Sequence, residues 1–484
     1  MTIAEAKKQI SDAMKAYFAK DEYGVRLMSA ESQRPVFLMG PPGIGKTAIM
    51  RQIADEMGVG LVSYSMTHHT RQSALGLPVI VRKSYGGEEH SITEYTMSEI
   101  IASVYDMMEE TGVREGILFL DEINCVSETL IPSMLQFLQF KTFGKHSVPE
   151  GWIVVTAGNP PEYNRTAKDF DIVTWDRLKR IDIEPDYPAW KDYAVKKGVH
   201  EAVLTYLDIR KDRFYIVEED VDGKRFVTAR GWDDLSDMIT VMERLGLPVG
   251  RELVSQYIRD GKTAAEFADY YELFNRYRSD YQIQEILAGR APEEIFSRAG
   301  SAPFDERLSL IGLLLEGLNA QLSPVIDTED TVTELLPILR RVKAGEDLKA
   351  LEEEEQARMK RDGRRGALTA VRRGTYERAI DFLSRHEGSG FAPIKADFDA
   401  LVAGMKAAAA VAGTSMANLF NFAEKAWPDG QEMLIIVTEL TTGRKTARFI
   451  SRYGCEAYYC HNNELKFYER HTDIIRRLEL LEEI

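Results

Sequence analysis

The sequence predicts an α/β fold, in which helices cover both faces of a parallel sheet, followed by a mostly helical region. Short apolar runs alternate with helical patterns between residues 36 and 157. Each of these runs is apolar throughout, which is typical of strands buried on both faces of a parallel sheet. From residue 190 onwards the spacing of apolar residues is mainly helical.

Periodicity and turn residues place the elements of the first part of the chain. Helices are predicted where apolar residues recur every three or four positions, at residues 3–18, 47–57, 97–110 and 127–140. Buried strands are predicted at residues 35–39, 59–65, 116–120 and 152–157. Hairpins are predicted where strand-like segments flank short polar or glycine-containing turns, at residues 79–96, 141–150 and 214–228.

Apart from the hairpin at residues 214–228, the chain from residue 190 onwards is predicted to be mostly helical. Residues 190–290 and 304–340 have helical spacing. Residues 341–366 are dense in charge, which is typical of a solvated helix or a linker. Residues 367–484 combine helical segments with one strand-like apolar run at residues 433–437.

Composition narrows the classes of function. The 484 residues are 44% hydrophobic, and 61 basic against 77 acidic side chains give a net charge of −16. This net negative charge argues against general electrostatic binding of nucleic acid. The three cysteines, Cys125, Cys455 and Cys460, are too few for a disulfide framework. Because we find no leader and no apolar run of about 18 residues, we expect a cytoplasmic protein without membrane insertion.

Residues 40–47, Gly-Pro-Pro-Gly-Ile-Gly-Lys-Thr, fit the phosphate-binding pattern G-x-x-x-x-G-K-[ST] at every position. They follow a predicted strand and precede a predicted helix, as this motif requires. Glycines let backbone amides approach a triphosphate, and the helix N-terminus adds partial positive charge. Lys46 can reach the β- and γ-phosphates, and the Thr47 hydroxyl can ligate Mg²⁺. The predicted ATP-binding residues are Gly40, Pro41, Pro42, Gly43, Ile44, Gly45, Lys46, Thr47 and Ala48.

Two further strand ends carry polar groups suited to hydrolysis. Asp121 and Glu122 follow an apolar strand; we expect Asp121 to hold the Mg²⁺ shell and Glu122 to polarise the attacking water as general base. Asn159 follows the next strand and is expected to hold that water or the γ-phosphate. Taken in isolation, each pattern also fits an ordinary strand end or an Asn-Pro turn. Together, at the carboxyl edge of a parallel sheet, they predict one catalytic site.

These motifs resemble the AAA+ ATPases, and more narrowly their MoxR-like group. The narrower resemblance rests on Asp121-Glu122-Ile123-Asn124, on the segment from Gly151-Trp152 to Pro160 and on Asp176-Arg177-Leu178, and it covers roughly residues 1–290. It implies a homo-oligomeric ring, commonly a hexamer, with ATP at the subunit interfaces. On this resemblance Arg177 is the arginine finger that reaches a neighbour's γ-phosphate, with Arg180 as its rival. Outside the resemblance, either arginine also fits a surface salt bridge.

The resemblance also implies roles outside the sheet. Arg230 matches the sensor-2 arginine at the start of a lid helix, although Ala229 stands where the family often has proline. In MoxR-like proteins, hairpins similar to residues 79–96 and 141–150 face the ring surface or the pore and touch substrate; surface decoration is the alternative. MoxR-like ATPases typically act with a protein that carries a von Willebrand factor A domain, which makes such a protein the implied partner.

Other candidate sites in the sequence favour ordinary structural roles. His68 and His69 have no carboxylate or cysteine at ligand spacing and are expected to be polar loop residues. Cys455, Cys460 and His461 lack the four-ligand spacing of a zinc site, so we expect buried thiols.

Three functions remain in competition at this point. The first is a ring-forming Mg²⁺-dependent ATPase that remodels or activates a partner protein. The second is a nucleic-acid motor, for which Lys141, Lys145 and His146 give slender support against the acidic balance. The third is a nucleotide-gated scaffold that scarcely hydrolyses ATP, against which the intact Glu122 and Asn159 argue.

The motifs and patterns together predict four domains. They are a nucleotide-binding αβα domain at residues 1–188, a helical lid at 189–295, a helical and charged linker at 296–366 and a C-terminal accessory domain of unknown role at 367–484.

Overall fold

The computed structural model describes residues 1–29, 32–68, 74, 76–164, 166–220, 223–364, 368–428 and 430–463. The chain divides into two compact units. The first comprises Met1–Ala189 with Glu355–Arg373, and the second comprises Trp190–Glu354 with Gly374–Ile484. The four-domain division stays a prediction.

A five-stranded parallel sheet forms the centre of the first unit. In spatial order its strands are β2 (Gly60–Ser65), β5 (Gly116–Asp121), β8 (Trp152–Gly158), β1 (Val36–Met39) and β9 (Lys179–Asp182). The four strands predicted for this sheet are confirmed. The edge strand β9 lies outside the sequence prediction, because Ile181 is the one fully buried residue among its four.

The strand order brings the carboxyl ends of three strands together at one edge of the sheet. Strand β8 lies between β5 and β1, with Met39 opposite Gly158 and Leu120 opposite Thr156. The carboxyl ends of β1, β5 and β8 therefore lie side by side. Segments that are far apart in sequence meet at this edge, as is usual for ligand sites of open α/β sheets.

Helices of the first unit cover the sheet. They are α1 (Ile3–Phe18), α2 (Lys46–Met57), α3 (Glu99–Thr111), α4 (Ile131–Phe140) and the single turn α5 (Ile172–Trp175). A capping box starts α1, since the Thr2 hydroxyl accepts from the Glu5 amide at 3.2 Å and the Glu5 carboxylate accepts from the Thr2 amide at 2.9 Å. Helix α4 begins four residues later than predicted, because residues 127–130 form a turn before Pro132.

The two predicted hairpins of the first unit are confirmed. Strands β3 (Pro78–Tyr85) and β4 (Glu88–Tyr95) are joined by Gly86 and Gly87, whose positive φ angles of 64° and 94° suit a two-residue turn. Strands β6 (Thr142–Phe143) and β7 (His146–Ser147) form a shorter hairpin before β8.

A carboxylate joins these two hairpins. Glu94 of β4 pairs with Lys145 of the short hairpin and with Lys83 of β3. The hydrogen bond from Lys145, followed by that from Lys83, lowers the pKa of Glu94 to about 2. The His146 ring also lies 3.2 Å from the carbonyl oxygen of Tyr95. The turn of the short hairpin therefore contacts the base of the longer one.

Among its described residues, the second unit has helices and one hairpin, β10 (Ile216–Asp220) with β11 (Gly223–Val227). This confirms the third predicted hairpin, whose turn residue Asp222 lies outside the described residues. Helix α6 (Tyr187–Lys197) joins the two units in the chain. The helices that follow are α7 (Glu201–Ile209), α8 (Ala229–Leu245), α9 (Arg251–Tyr257), α10 (Gly261–Asp280), α11 (Ile283–Leu287), α12 (Glu293–Ser301), α13 (Phe304–Lys343), α14 (Leu348–Arg364), α15 (Ala370–Ser384), α16 (Phe391–Ala426), α17 (Glu432–Thr442) and α18 (Arg444–Tyr453). The part of α14 from Glu355 onwards and the start of α15 belong to the first unit.

One element of the second unit corrects the sequence prediction. Residues 433–437 are predicted as a strand-like run, but they lie inside α17. The buried residues of this helix are Glu432, Ile436, Val437 and Leu440, which recur at helical spacing. The periodicity of the longer segment, rather than the apolar character of five residues, decides this element.

Two long helices bear on the expectation about membranes. Helices α13 and α16 are long and apolar enough to cross a bilayer by length and composition. In α13, 67% of the apolar stretch is buried within the protein, as in a core helix, whereas in α16 the buried share is 22%. The absence of membrane insertion stays a prediction.

Trp152 provides a stability test of the sheet. Its fully buried ring covers Gly116, where an added Cβ would lie 2.6 Å from the ring. We expect Gly116→Ala to lower the free energy of unfolding of the first unit by about 1–3 kcal/mol through overpacking. Chemical denaturation measures this. The matched control is Gly404→Ala in α16, where an added Cβ meets no atom within 4 Å, so this substitution should not destabilise the protein. Equal stability of wild type and Gly116→Ala would contradict the packing of Trp152 against Gly116.

Candidate functional site

The phosphate-binding loop lies between β1 and α2. Gly43 and Gly45 have φ angles of 74° and 97°, which glycine adopts without strain. An added Cβ at Gly40 would lie 2.8 Å from the carbonyl oxygen of Ile183. The loop therefore needs glycine both for its turns and for its close approach to the segment after β9.

Lys46 is buried at the first turn of α2 and points back into the loop. Its ammonium donates to the carbonyl oxygens of Gly40 at 2.6 Å and Pro41 at 2.8 Å, and to Oδ1 of Asn159 at 2.8 Å. Lys46 as a whole is only 8% exposed to solvent. Burying a charge is costly unless it is hydrogen-bonded, and these oxygens satisfy the ammonium where phosphate would approach.

Two oxygen ligands lie together beside this lysine. The Thr47 hydroxyl donates to Oδ2 of Asp121 at 2.8 Å, although 74 positions separate the two residues in the chain. Oδ1 of Asp121 accepts from the backbone amide of Glu122 at 3.0 Å. A hydroxyl next to a carboxylate is the kind of oxygen donor set that Mg²⁺ takes in phosphate sites.

Glu122 adopts an uncommon backbone conformation at the end of β5. Its φ angle is 56°, in the left-handed region, which is uncommon for a residue with a side chain. The Ser65 hydroxyl, at the end of β2, lies 3.4 Å from Oε2 of Glu122. The turn thus places the carboxylate at the edge of the sheet, next to Asp121, rather than along the strand direction.

Sequence reasoning did not identify two residues that contact this site. Ser65 contacts Glu122 as described, and Asn124 is fully buried with its amide nitrogen 2.8 Å from the carbonyl oxygen of Asn159. The polar end of an apolar strand was the available signal for Ser65. For Asn124 the available signal was its position in the Asp-Glu-Ile-Asn segment, but the spacing of that segment does not indicate what the asparagine does.

The donor set fits a nucleotide with a divalent cation. The loop supplies backbone amides at a helix N-terminus, Lys46 supplies a cation, and Thr47 with Asp121 supplies oxygen ligands. At Gly45 an added Cβ would meet no atom within 4 Å, so the backbone there is open to a close approach of phosphate. The chemistry of these residues fits ATP and Mg²⁺, and their roles as ligands stay a prediction.

The two candidate arginine fingers have different surroundings. Arg180, on β9, donates to Oδ1 of Asp182 at 2.8 Å and covers the Trp175 ring at 4.6 Å. Arg177 is exposed on the turn between α5 and β9, and its guanidinium has no hydrogen bond or ion pair within the part of the chain that the structure describes. Its charge helps to lower the pKa of Asp171, whose main cause is the hydrogen bonding with Thr174.

Arg177 is not brought to the phosphate-binding loop of its own chain. Val36 at the amino end of β1 lies opposite Lys179 at the amino end of β9. Arg177, two residues before Lys179, therefore lies beyond the amino ends of both strands. The loop follows their carboxyl ends, about 13 Å further along for four residues of strand. Arg230 lies exposed in the first turn of α8, in the second unit, where Thr228 caps the helix by accepting from the amide of Gly231 at 3.1 Å.

The remaining sequence candidates are placed in ordinary environments. Cys455 is half-buried, and burial raises the pKa of its thiol. The prediction of a buried thiol is wrong for Cys460, which is exposed. His461 stacks on Phe420 at 5.7 Å and contacts Glu424 at 2.8 Å. His69 lies outside the described residues.

One cluster in the second unit resembles a metal site but has its own partners. Ligand atoms of His200, Glu243 and Glu316 lie within 4.8 Å of one another. Nδ1 of His200 accepts from the amide of Ala202 at 3.1 Å, so Nε2 carries the proton of a neutral ring and donates to Glu243 at 3.1 Å. Arg278 binds both oxygens of Glu316 at 2.7 and 2.8 Å. These contacts assign the cluster a structural role in capping and charge balance.

The fold and site define a P-loop nucleotide-binding protein of the α/β class. Residues 36–164 match the model of the ATPase family associated with various cellular activities (AAA). No curated protein matches the chain. Residues 36–164 are therefore similar to the nucleotide-binding core of AAA+ ATPases, a class that binds and hydrolyses nucleotide and typically assembles into rings. The predicted fold class, an αβα core followed by a largely helical region, is confirmed.

Lys46 offers a direct test of the nucleotide site. We expect Lys46→Ala to raise the Kd for ATP at least tenfold, because a charge-assisted hydrogen bond contributes about 1.5–3 kcal/mol. Titration with a fluorescent ATP analogue measures this. The control is Lys7→Ala, which removes a lysine that pairs with Glu56 on the helical layer and should leave the Kd unchanged. Equal affinity of wild type and Lys46→Ala would contradict the site.

Proposed function

We propose that this protein is a MoxR-like AAA+ ATPase that assembles into a ring, commonly a hexamer, and couples Mg²⁺-dependent ATP hydrolysis to the remodelling or activation of a partner protein. The observation that carries the proposal is the meeting of Lys46, Thr47, Asp121, Glu122 and Asn159 at one edge of the sheet. The MoxR-like assignment rests on the sequence motifs around these residues.

Each residue of this edge has a chemical task in the proposed reaction. Lys46 binds the β- and γ-phosphates, and Thr47 with Asp121 would hold the magnesium ion, which neutralises charge on the phosphates when bound. Glu122 orients and polarises the attacking water as general base. Asn159 holds the γ-phosphate or that water, because its amide already reaches the position of Lys46. Most of the catalysis is positioning and electrostatic stabilisation, as expected for phosphoryl transfer.

Arg177 is proposed to act on the site of a neighbouring chain. It lies at the opposite end of β9 from its own phosphate-binding loop, and its guanidinium has no hydrogen bond or ion pair among the described residues, whereas Arg180 is held by Asp182. Next to it, Ile172 and Val173 are 86% and 59% exposed on α5. Aliphatic side chains this exposed beside a cation support a contact with a second copy of the chain.

Subunit mixing tests whether Arg177 acts in trans. We expect Arg177→Ala and Glu122→Gln each to reduce ATP hydrolysis by a factor of about 10³ or more while ATP still binds. Mixed rings contain some sites with an intact Glu122 and a neighbour's intact Arg177. Hydrolysis should then return to about a quarter of the wild-type rate for random pairing around a heterologous ring.

The control for this experiment is Arg180→Ala. The account predicts near wild-type hydrolysis for Arg180→Ala. A large loss for Arg180→Ala, with hydrolysis preserved in Arg177→Ala, would assign the finger to Arg180 instead. Mixed rings without restored activity would contradict action in trans.

The two joined hairpins are proposed to contact the partner protein. Ile80 of β3 is 80% exposed and Tyr85 is 55% exposed, so the longer hairpin presents apolar side chains to solvent. The basic side chains that would support a nucleic-acid motor are engaged elsewhere. Lys145 pairs with Glu94, and Lys141 is 7% exposed and bonded to Gln33, with burial lowering the pKa of Lys141 to about 8. These contacts favour a protein partner, and the resemblance implies one with a von Willebrand factor A domain.

Stimulation of hydrolysis distinguishes a protein partner from nucleic acid. We expect a purified von Willebrand factor A domain protein to raise ATP turnover at least twofold, because an engaged substrate contacts the hairpins. Ile80→Asp should reduce this stimulation and leave the unstimulated rate unchanged, and Gly404→Ala serves as a surface control in the second unit. Stimulation by duplex or single-stranded DNA that declines steeply with salt would support the motor instead.

A further inference from the structure

Asn124 is a buried amide that the proposed reaction does not use directly. It lies in the 3₁₀ turn Ile123–Cys125, two residues after Glu122, and has no exposed surface. Its Nδ2 donates to the backbone carbonyl oxygen of Asn159 at 2.8 Å. The bond crosses from the turn after β5 to the residue after β8, which are 35 positions apart in the chain.

The space around this amide is closed on the side of β8. A Cβ at Gly158 would collide with Oδ1 of Asn124 and lie 2.8 Å from its Cγ. The backbone of Gly158 does not require glycine, since its φ is outside the left-handed region. Glycine is therefore needed at this position for space, and the space is filled by the Asn124 side chain together with the Phe37 ring.

The main chain of Asn124 is fixed as well. Its carbonyl oxygen accepts from the amide of Lys168 at 2.9 Å, and the amide of the next residue, Cys125, donates to the carbonyl oxygen of Glu122 at 3.0 Å. The backbone that carries the Asn124 side chain is thus held both to Lys168 and to the turn that begins at Glu122. One rigid connection thus runs from the general base to the peptide of Asn159.

The orientation of Asn159 depends on this connection. Its carbonyl oxygen is bound by Asn124, while its side-chain Oδ1 accepts from the ammonium of Lys46 at 2.8 Å. Because Asn159 follows the end of β8, no neighbouring strand among the described residues forms a sheet hydrogen bond with its carbonyl oxygen. The bond from Asn124 supplies that restraint, so the Asn159 amide keeps its direction towards the phosphate position.

We propose that Asn124 is a positioning residue for ATP hydrolysis, which fixes the Asn159 peptide relative to the Glu122 turn. This inference rests on the proposed function. It predicts a loss in kcat rather than in nucleotide affinity, because Lys46 and the loop amides bind the phosphates without Asn124. A buried amide with a purely structural role would instead change stability and leave the kcat of the folded protein unaffected.

Asn124→Asp gives the most specific test. The substitution keeps the size of the side chain but lets it donate only as the protonated acid. A carboxylate here would be buried and would face the Asn159 carbonyl oxygen near Asp121 and Glu122, so its pKa lies above the usual range. The acid form restores the bond at low pH, and the ionised form repels the carbonyl oxygen as pH rises.

The measured quantity is the ratio of variant to wild-type kcat between about pH 5.5 and about pH 9. Using the ratio removes any pH dependence that the variant shares with wild type. We expect the ratio to fall at least tenfold across this range, with the Kd for ATP within about threefold of wild type. A ratio that does not change with pH would overturn the proposal.

A double-mutant cycle gives a second test that does not depend on titration. Asn124→Leu removes the donor at similar size, and Asn124→Ser serves the same purpose if the leucine chain is not obtained folded. If Asn124 acts through Asn159, the loss of kcat in Asn124→Leu combined with Asn159→Ala equals that of Asn159→Ala. Multiplicative losses in the double variant would overturn the proposal.

Two controls separate this inference from the proposed function. Thr129→Ala alters an exposed side chain five residues further along the chain, which contacts the Ser127 hydroxyl at 3.2 Å, and should leave kcat unchanged. A wild-type chain that binds ATP without hydrolysing it would reject the proposed function itself. Hydrolysis by wild type, with Asn124→Asp and Asn124→Leu both at the wild-type kcat, would reject the role of Asn124 and leave the proposed function intact.

Discussion

The buried ammonium of Lys46 is the interaction on which the architecture of the site depends. It joins the phosphate-binding loop to Asn159, 113 positions later in the chain. A buried cation needs several oxygen partners to offset its desolvation, and the loop carbonyls and Asn159 provide them. The order of the strands makes this possible, because β8 lies between β1 and β5 and delivers Asn159 between the loop and Asp121.

The surrounding structure holds polar groups at this edge by pairwise contacts across neighbouring strands. Thr47 meets Asp121, Ser65 meets Glu122, and Asn124 meets the peptide of Asn159. Each contact joins two segments that follow or precede different strands. Displacing one of these groups would therefore disturb its neighbours. This coupling is consistent with groups that act together in one reaction. The hairpins that precede α3 and β8 are joined to each other through Glu94.

Much of the fold could be predicted from local pattern, and most of the contacts could not. The apolar strands, the loop glycines and the Gly86-Gly87 turn carry strong local signals, and all were predicted. Edge strand β9 has mostly polar residues, and the run at 433–437 is too short for its period to decide between strand and helix. Ser65 and Asn124 gained their importance from partners 57 and 35 positions away. The strand order that creates those contacts has no signature in the sequence.

The site also leaves a role for a second chain, since Arg177 precedes β9 while the phosphates would lie beyond its far end. The most direct measurement is the steady-state rate of ATP hydrolysis per chain as the protein concentration is raised through the range in which it assembles. The account predicts little turnover in the monomer and a steep rise on assembly that is lost in Arg177→Ala. A rate per chain that is independent of concentration, in a protein that remains monomeric, would contradict it.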